Sequence, residues 1–269
     1  MRQRTISLAS GVMPEATPLQ TVQAAGAAGF DAVGIWIEPA KWTAQTTREV
    51  RQAVRDNGLQ LLDAEVIWLR PGPANPDHLR AIDIAAEIGA ANVLVVSSDP
   101  DAAATASKFA ELCEHARHMP LRVALEFGAF TEVPDLEAAA AILEHAAQPN
   151  QALLVDALHL QRSGGQAERL ERLPAQWFSY AQLCDAPLSG PSATDRAAIR
   201  AEAVDGRLCP GAGELPLHGL LKALPPDLPL SVEVRSRQLR DDYPDLVTRA
   251  EIVQRATRQW LDEMSRCPA

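Results

Sequence analysis

The chain has 269 residues, of which 47% are hydrophobic and 22% charged, a composition typical of a globular protein with a sizeable core. Its formal net charge of −10 argues against a nucleic-acid-binding protein, which usually presents a basic face. No apolar run is long enough to predict a membrane span or a signal peptide, and the four cysteines show no CxxC spacing. We therefore expect a cytoplasmic protein with reduced thiols.

Short apolar runs alternate along the chain with longer Ala-rich segments, and each pair predicts a strand followed by a helix. The predicted strands cover 5–10, 31–38, 59–69, 91–98, 121–127, 152–159, 178–186 and 230–236. The predicted helices cover 18–29, 46–58, 75–89, 101–117, 135–147 and 245–264. Thr46 and Glu49 have capping-box spacing, and Asn75 followed by Pro76 indicates another helix start.

Eight strands with helical segments between them match the strand count of a (β/α)8 barrel. Strands that are apolar on both faces fit a parallel sheet covered by helices, and the GxGxxG turn of many doubly wound sheets is missing after the first strand. We therefore predict an α/β fold in which residues 1–269 form a single TIM barrel domain. The segment 187–217 is predicted to be a long irregular loop that covers the mouth of the barrel.

Four consecutive predicted strands each carry polar side chains near their carboxyl-terminal ends, which is where such barrels have their active sites. Glu126 ends strand five, Asp156 and His159 end strand six, Gln182 lies on strand seven and Glu233 on strand eight. Buried carboxylates repel one another, and a divalent cation removes that penalty. Three carboxylates with an amide or imidazole suit Mg, Mn or Co, with Zn as a further candidate. The alternative is a polar rim without catalysis.

The order and spacing of these motifs resemble the xylose isomerase-like barrels. The motifs are Glu126 on strand five, "DxxH" ending strand six, "QxxD" on strand seven, "SVE" on strand eight and "PGAGEL" between the last two strands. The superfamily includes sugar isomerases, ketose 3-epimerases, hydroxypyruvate isomerase, inosose dehydratase and dehydroshikimate dehydratase. Many members carry His at the position of Gln182, whereas others carry Gln.

The resemblance implies a role for each matching residue of this chain. The implied metal ligands are Glu126, Asp156, Gln182 and Glu233. The resemblance also implies that His159 contacts a substrate oxygen and that Arg207 binds substrate. Glu126 and Glu233 are the implied acid/base pair, which moves a proton on the carbon beside a metal-polarised carbonyl. The alternative for His159 is a capping role.

Three reactions share this first proton transfer. Returning the proton to the neighbouring carbon gives isomerisation, returning it to the opposite face gives epimerisation, and expelling a β-hydroxyl gives dehydration. We expect an isomerase or epimerase acting on a small hydroxy-ketone, sugar or polyol, with an inosose- or dehydroshikimate-type dehydratase as the runner-up. A non-catalytic metal- or ligand-binding barrel is the competing class. The expected partner is a small-molecule substrate, not nucleic acid or a membrane, and a homodimer or homotetramer is left open.

Two further charged residues are candidates for substrate binding. Arg235 lies two residues after Glu233 and so shares its face, which suits a clamp for a carboxylate or phosphate; an ion pair with Glu126 is the alternative. Glu65 on strand three is predicted to face the barrel interior with Asp63, in a substrate role or paired with an arginine.

Three tryptophans, Trp36, Trp42 and Trp68, lie at or just after strands two and three. If they line the mouth, they give the site a broad apolar wall that suits a ring-shaped substrate. Packing beneath the helices is the simpler interpretation.

Overall fold

Eight parallel strands close into a barrel in the computed structural model, which describes residues 4–266. The strands are β1 (Ile6–Leu8), β2 (Ala32–Trp36), β3 (Gln60–Leu69), β4 (Asn92–Ser97), β5 (Arg122–Glu126), β6 (Gln151–Asp156), β7 (Ala181–Leu183) and β8 (Leu230–Val232). Each strand pairs with the next one in the chain, and β8 pairs with β1 to close the ring. The predicted (β/α)8 architecture is confirmed.

Helices connect the strands and cover the barrel. They are α1 (Pro18–Ala27), α2 (Ala44–Asp56), α3 (Pro76–Ile88), α4 (Ala102–His115), α5 (Leu136–Ala146), α6 (Ala157–Arg162), α7 (Arg196–Asp205), α8 (Leu217–Ala223), α9 (Arg237–Asp242) and α10 (Leu246–Arg266). Short 3-10 helices span Ser10–Val12, Ala167–Arg172 and Ala175–Trp177. The segment 187–217, predicted as an irregular loop, contains α7. Across residues 4–266 we find no helix that combines the length and the apolar character needed to cross a membrane.

The helix starts show where capping was predicted correctly and where it was not. Asn75 caps α3, because its side chain accepts a hydrogen bond from the backbone N–H of Asp77. The capping box predicted for Thr46 and Glu49 is wrong. The cap of α2 is Thr43, whose hydroxyl accepts from the backbone N–H of Thr46 at 3.1 Å, so Thr46 lies inside the first turn.

Hydrophobic side chains fill two separate regions. The larger cluster lies between the strands and the surrounding helices. The smaller one fills the barrel interior, and its buried members are Ala32, Leu62, Leu94, Val96, Ala124, Ala152, Leu154 and Tyr180. Because side chains alternate along a strand, the residues two positions after Ala124, Leu154 and Tyr180 also face the interior. Those positions hold polar residues, so the interior changes from apolar to polar toward the carboxyl ends of the strands.

The cysteines do not form disulfides within the part of the chain that the structure describes. Cys113, Cys184 and Cys209 are free thiols. Burial raises the pKa of Cys113 and of Cys184 to about 12, so both are protonated at neutral pH. Cys267 lies outside the described residues.

Gly34 of β2 makes room for a buried carboxyl group, which gives a test of the interior packing. A Cβ at this position would stand 2.7 Å from Oδ2 of Asp63. We expect Gly34→Ala to lower the free energy of unfolding by about 1–3 kcal/mol through overpacking, as measured by urea denaturation.

Gly219→Ala is the matched control, because a Cβ there meets no described atom within 4 Å. Gly219 lies inside α8, so alanine should raise the free energy of unfolding by about 0.5–1 kcal/mol. Equal effects at the two positions would show that Gly34 is not tightly packed.

Candidate active site

The barrel brings the four predicted metal ligands to its carboxyl-terminal end. Glu126 and Asp156 are the last residues of β5 and β6, Gln182 is the middle residue of β7, and Glu233 follows β8 directly. Glu126, Asp156 and Gln182 each stand two positions after a residue of the interior cluster and therefore continue the interior face of their strands. In the strand register, Asp156 is the partner of Gln182. The four side chains thus belong to one polar layer.

Arg207 is the buried cation of this layer. Its Nη1 donates to Oδ2 of Asp156 at 2.5 Å, and its Nη2 lies 2.9 Å from Oε2 of Glu233. Its Nε donates to the backbone oxygen of Ala203 at 2.8 Å, which holds the guanidinium in one orientation. The side chain is only 2% exposed, so these ion pairs are shielded from water. Arg207, predicted to bind substrate, thus contacts two of the predicted ligands directly.

These ion pairs set the protonation of the two carboxyl groups differently. Burial pushes the pKa of Asp156 upward, but the charge and hydrogen bond of Arg207, together with the backbone N–H of His159, outweigh burial and bring the pKa below its usual value. Burial raises the pKa of Glu233 to about 7, because Arg207 offsets only part of the effect and Glu65 and Asp156 repel the ionised form. Asp156 is therefore the fixed anion, and Glu233 is the group that changes protonation near neutral pH.

His159 lies in α6 and not at the end of a strand, so the predicted strand 152–159 is too long. Asp156 ends β6 and caps α6 by accepting from the backbone N–H of His159 at 2.9 Å. The capping group is thus Asp156, not the His159 imidazole. The missed boundary has a simple reason: Ala157 and Leu158 are apolar and buried in either a strand or a helix.

The contact with Arg207 decides which ring nitrogen of His159 carries the hydrogen. Its Nε2 lies 3.4 Å from Nη2 of Arg207, and a guanidinium can only donate hydrogen bonds. Nε2 must then be the acceptor and Nδ1 must carry the hydrogen. Burial lowers the pKa of His159 to about 4, so the ring is neutral. The Nδ1–H group has no partner among the described residues and is free to donate to a ligand.

Glu126 and Gln182 are buried without partners for their polar atoms. Oε1 of Glu126 and both amide atoms of Gln182 make no hydrogen bond within residues 4–266. Burial raises the pKa of Glu126 well above its usual range, and Glu233 and Asp156 raise it further by repulsion. Unpaired buried oxygens are costly, so this pair of residues has acceptor capacity that a bound cation or ligand can use.

Glu65 and Asp63 add two more buried carboxyl groups, as predicted for the interior face of β3. Oε1 of Glu65 accepts from the hydroxyl of Ser10 at 2.8 Å. Burial raises the pKa of Glu65, and it raises that of Asp63 well above the usual range, where Glu65 and Glu233 add repulsion. No arginine lies within ion-pair distance of Glu65 in the described part of the chain. The charges of Arg235 and Arg207 nevertheless act on Glu65 and offset part of the rise in its pKa.

A cavity of about 150 Å³ opens onto this polar layer. The predicted site residues that line it are Glu65, Glu126, His159, Arg207, Glu233 and Arg235. Asp156 and Gln182 are not in its lining. Arg235 makes no ion pair with Glu126, the alternative considered for it. A larger cavity of about 410 Å³ lies beside α3 and α4, but none of these carboxyl groups lines it.

Aromatic residues and one further arginine complete the wall of the cavity. Trp36 and Trp68 line it, and Trp36 is 41% exposed, so these two stand at the mouth. Trp42 instead packs in the core and donates its Nε1–H to the hydroxyl of Thr47. Arg200 of α7 also lines the cavity. Arg200 was missed at the sequence level because segment 187–217 was predicted to be irregular and only Arg207 within it matched a family motif.

The four predicted ligands offer the donor chemistry of a divalent-cation site, although not a ready-made arrangement. Among residues 4–266, no three His, Cys, Asp or Glu side chains are gathered as a ready-made ligand set. Arg207 contacts Asp156 and Glu233 instead, and Gln182 is an amide. The donor chemistry nevertheless fits, because three carboxylates and one amide oxygen are hard ligands. The unpaired oxygens of Glu126 and Gln182 provide acceptors that the protein itself leaves free.

The sequence model of the xylose isomerase-like TIM barrel family matches residues 22–264, and the chain belongs to this family. A 3-dehydroshikimate dehydratase of Pseudomonas aeruginosa is 29% identical over 265 residues, which are 93% of this chain and 39% of that protein. A 3-dehydroshikimate dehydratase of Pseudomonas putida is 27% identical over 230 residues, 81% of this chain and 34% of that protein. The chain thus spans well under half the length of these relatives.

Among solved structures, the IolI protein with a bound zinc atom superposes with a TM-score of 0.78. The two chains are 15% identical, and the match covers 98% of this chain and 100% of IolI. At this identity the likeness shows the shared fold.

The contribution of Arg207 to the stability of the protein can be measured as a change in the free energy of unfolding. We expect Arg207→Met to lower the free energy of unfolding by about 3 kcal/mol, because it leaves Asp156 and Glu233 buried without their cation. The measurement is urea denaturation of the metal-free protein at neutral pH.

Arg237→Met is the control, since Arg237 forms an exposed ion pair with Asp205 outside the cavity. It should leave the unfolding curve unchanged. An Arg207 variant as stable as the control would show that the buried ion pairs do not hold the site together.

Proposed function

We propose that this chain is a divalent-metal-dependent lyase that removes water from a cyclic ketone with a hydroxyl group β to the carbonyl. The observation that carries the proposal is the arrangement at the cavity, where Glu126 and Glu233 stand with the free Nδ1–H of His159. Both curated relatives are 3-dehydroshikimate dehydratases, so they favour the runner-up of the sequence analysis over isomerisation. We take 3-dehydroshikimate as the first compound to test.

Four residues would hold the metal: Glu126, Asp156, Gln182 and Glu233. Mg, Mn or Co suits this oxygen-rich donor set, with Zn as a further candidate. When bound, such a cation supplies Lewis-acid polarisation of the substrate carbonyl. Asp156 is suited to the ligand role because Arg207 keeps it ionised. Cys184 and Cys209 take no part, since burial keeps both thiols protonated.

The proton steps belong to the glutamates. One of the two cavity carboxylates, which we assign as Glu233, takes the proton from the carbon beside the carbonyl, and the electron pair of that C–H bond moves toward the carbonyl oxygen. The electrons then return, the C–O bond at the β carbon breaks, and the same carboxyl group gives its proton to the departing hydroxide. The products are an enone and one water molecule. His159 donates its Nδ1–H to a substrate oxygen and so fixes the ring in place.

The walls of the cavity suit a ring more than an open chain. Trp36 and Trp68 provide flat apolar surfaces, and Phe130 packs edge-on against His159 with ring centroids 5.4 Å apart. These side chains limit the water that reaches the glutamates, which strengthens the electrostatic interactions of the site. The ring-shaped substrate considered in the sequence analysis is therefore part of the proposal.

Isomerisation or epimerisation is the second candidate. It needs the same first proton transfer, and the specific feature in its favour is the presence of two carboxyl groups at the cavity, Glu126 and Glu233. A second group on the opposite face can return the proton there. A ketose that exchanges its α-proton in D2O and epimerises, while 3-dehydroshikimate is left unchanged, would establish this candidate.

The proposal predicts that Glu233→Gln lowers the dehydration rate at least 10²- to 10⁴-fold, which is the usual contribution of a general acid or base. Glutamine keeps the size of the side chain, so the thermal midpoint should stay close to that of the parent. The measurement is the growth of enone or aromatic absorbance with Mn-loaded protein and 3-dehydroshikimate.

Glu38→Gln is the matched control, because Glu38 forms an exposed ion pair with Lys41. It should keep full activity. A Glu233 variant as active as the control would remove the assigned base. No turnover and no α-proton exchange with any compound would favour the non-catalytic barrel.

A further inference from the structure

Asp185 and the segment "PGAGEL" have no part in the proposed chemistry, and the structure joins the two. Asp185 is the last residue of the "QxxD" motif, and it is buried. Its Oδ1 accepts from the backbone N–H of Ala186 at 2.9 Å and from that of Leu215 at 3.0 Å. Its Oδ2 accepts from the backbone N–H of Gly211 at 3.0 Å. The carboxyl group of one motif therefore holds the backbone of the other.

The turn formed by residues 210–215 fits closely around this carboxyl group. A Cβ at Gly213 would stand 2.5 Å from Oδ1 of Asp185 and 2.5 Å from the backbone oxygen of Ala186. The backbone N–H of Glu214 donates to the same oxygen of Ala186 at 2.8 Å. The turn is therefore packed against Asp185 and Ala186 by backbone contacts that leave no room for a side chain at Gly213.

The chain just before this turn carries Arg207. Leu208 and Asp185 form an antiparallel bridge, in which the backbone N–H of each donates to the backbone oxygen of the other at 2.8 Å. The backbone N–H of Arg207 donates to the backbone oxygen of Arg235 at 3.0 Å. These bonds fix where the side chain of Arg207 begins, whereas its hydrogen bond to Ala203 fixes the orientation of the guanidinium.

We infer that Asp185 is a positioning residue, which holds the turn 210–215 and thereby keeps Arg207 against Asp156 and Glu233. The ion pairs of Arg207 have N–O distances of 2.5 and 2.9 Å, so a displacement of the guanidinium by about 1 Å breaks them. The geometry stands without any assumption about the reaction. The consequence for catalysis rests on the proposed function, because Asp156 and Glu233 are proposed metal ligands.

The test observes Arg207 directly in the metal-free protein, through its side-chain Nε–H signal in a ¹H–¹⁵N correlation spectrum. This N–H donates to the backbone oxygen of Ala203 in a buried environment, which slows its exchange with water. Arg207→Lys, which keeps the positive charge and removes the Nε–H group, assigns the signal by its loss.

We expect Asp185→Asn to shift or broaden the Nε–H signal of Arg207. The substitution replaces one carboxyl oxygen by an NH2 group, which cannot accept a backbone hydrogen bond. Gly213→Ala disturbs the same contact from the side of the turn and should have the same effect. Asp101→Asn is the control, because the carboxyl group of Asp101 also accepts from backbone N–H groups, at the start of α4 and outside the cavity lining. It should leave the signal unchanged.

Urea denaturation of the same metal-free variants separates positioning from a merely structural role. If Asp185 acts through Arg207, the losses in urea midpoint caused by Asp185→Asn and by Arg207→Met do not add in the double variant. If Asp185 only stabilises a turn, the two losses add and the Nε–H signal keeps its position.

Two outcomes overturn the inference: an Arg207 signal that is unchanged in the folded Asp185 and Gly213 variants, and additive losses in urea midpoint. Both measurements need neither metal nor turnover, so this failure is distinguishable from failure of the proposed function. A shifted signal and non-additive losses in a protein that dehydrates no compound would retain the positioning role and remove the lyase. Dehydration by the parent protein with an unchanged signal would do the reverse.

Discussion

The burial of several carboxyl groups at one end of a closed barrel is the constraint on which the site depends. The buried members are Asp63, Glu65, Glu126, Asp156 and Glu233. Arg207 lies among them and forms ion pairs with one oxygen of Asp156 and one oxygen of Glu233. Burial, followed by repulsion between the carboxylates, raises the pKa of Asp63 and of Glu126. Such an arrangement costs stability when nothing else balances it, which is the physical reason for the proposal that a divalent cation binds among these side chains.

The barrel makes this arrangement possible because its strands fix the direction of each side chain. Because side chains alternate along a strand, Glu126, Asp156 and Gln182 face the barrel interior in line with its apolar residues. Asp156 also caps α6, which places His159 beside the cavity. Helix α7 contributes Arg200 to the wall of the cavity. The cavity then has three chemically different parts, which are the carboxyl groups, the aromatic wall and the arginines Arg200 and Arg235. These parts share elements, because Glu65 and Trp68 both lie on β3 and Arg235 stands two residues after Glu233.

The fold and the acidic residues could be predicted from the sequence because both depend on local patterns. Apolar runs of strand length alternate with helical segments, and a carboxylate at the end of such a run, as at Glu126, faces the site of a parallel barrel. The contact between Arg207 and Asp156 joins residues 51 positions apart through an intervening loop and helix, and no local pattern specifies it. The same limit applies to Arg200, whose helix was predicted as a loop. Trp36 ends β2 and Trp42 follows six positions later, yet only Trp42 is buried, because tertiary packing decides which of them is covered.

The most direct test of the account is the position of the cation in a crystal of the Mn-loaded protein, located by anomalous scattering at the manganese edge. The account predicts one strong peak within about 2.5 Å of oxygens from Glu126, Asp156, Gln182 and Glu233. A peak held by other residues, such as the surface acids around Asp205 and Asp241, or an absence of any peak at the barrel mouth under saturating manganese, would contradict it.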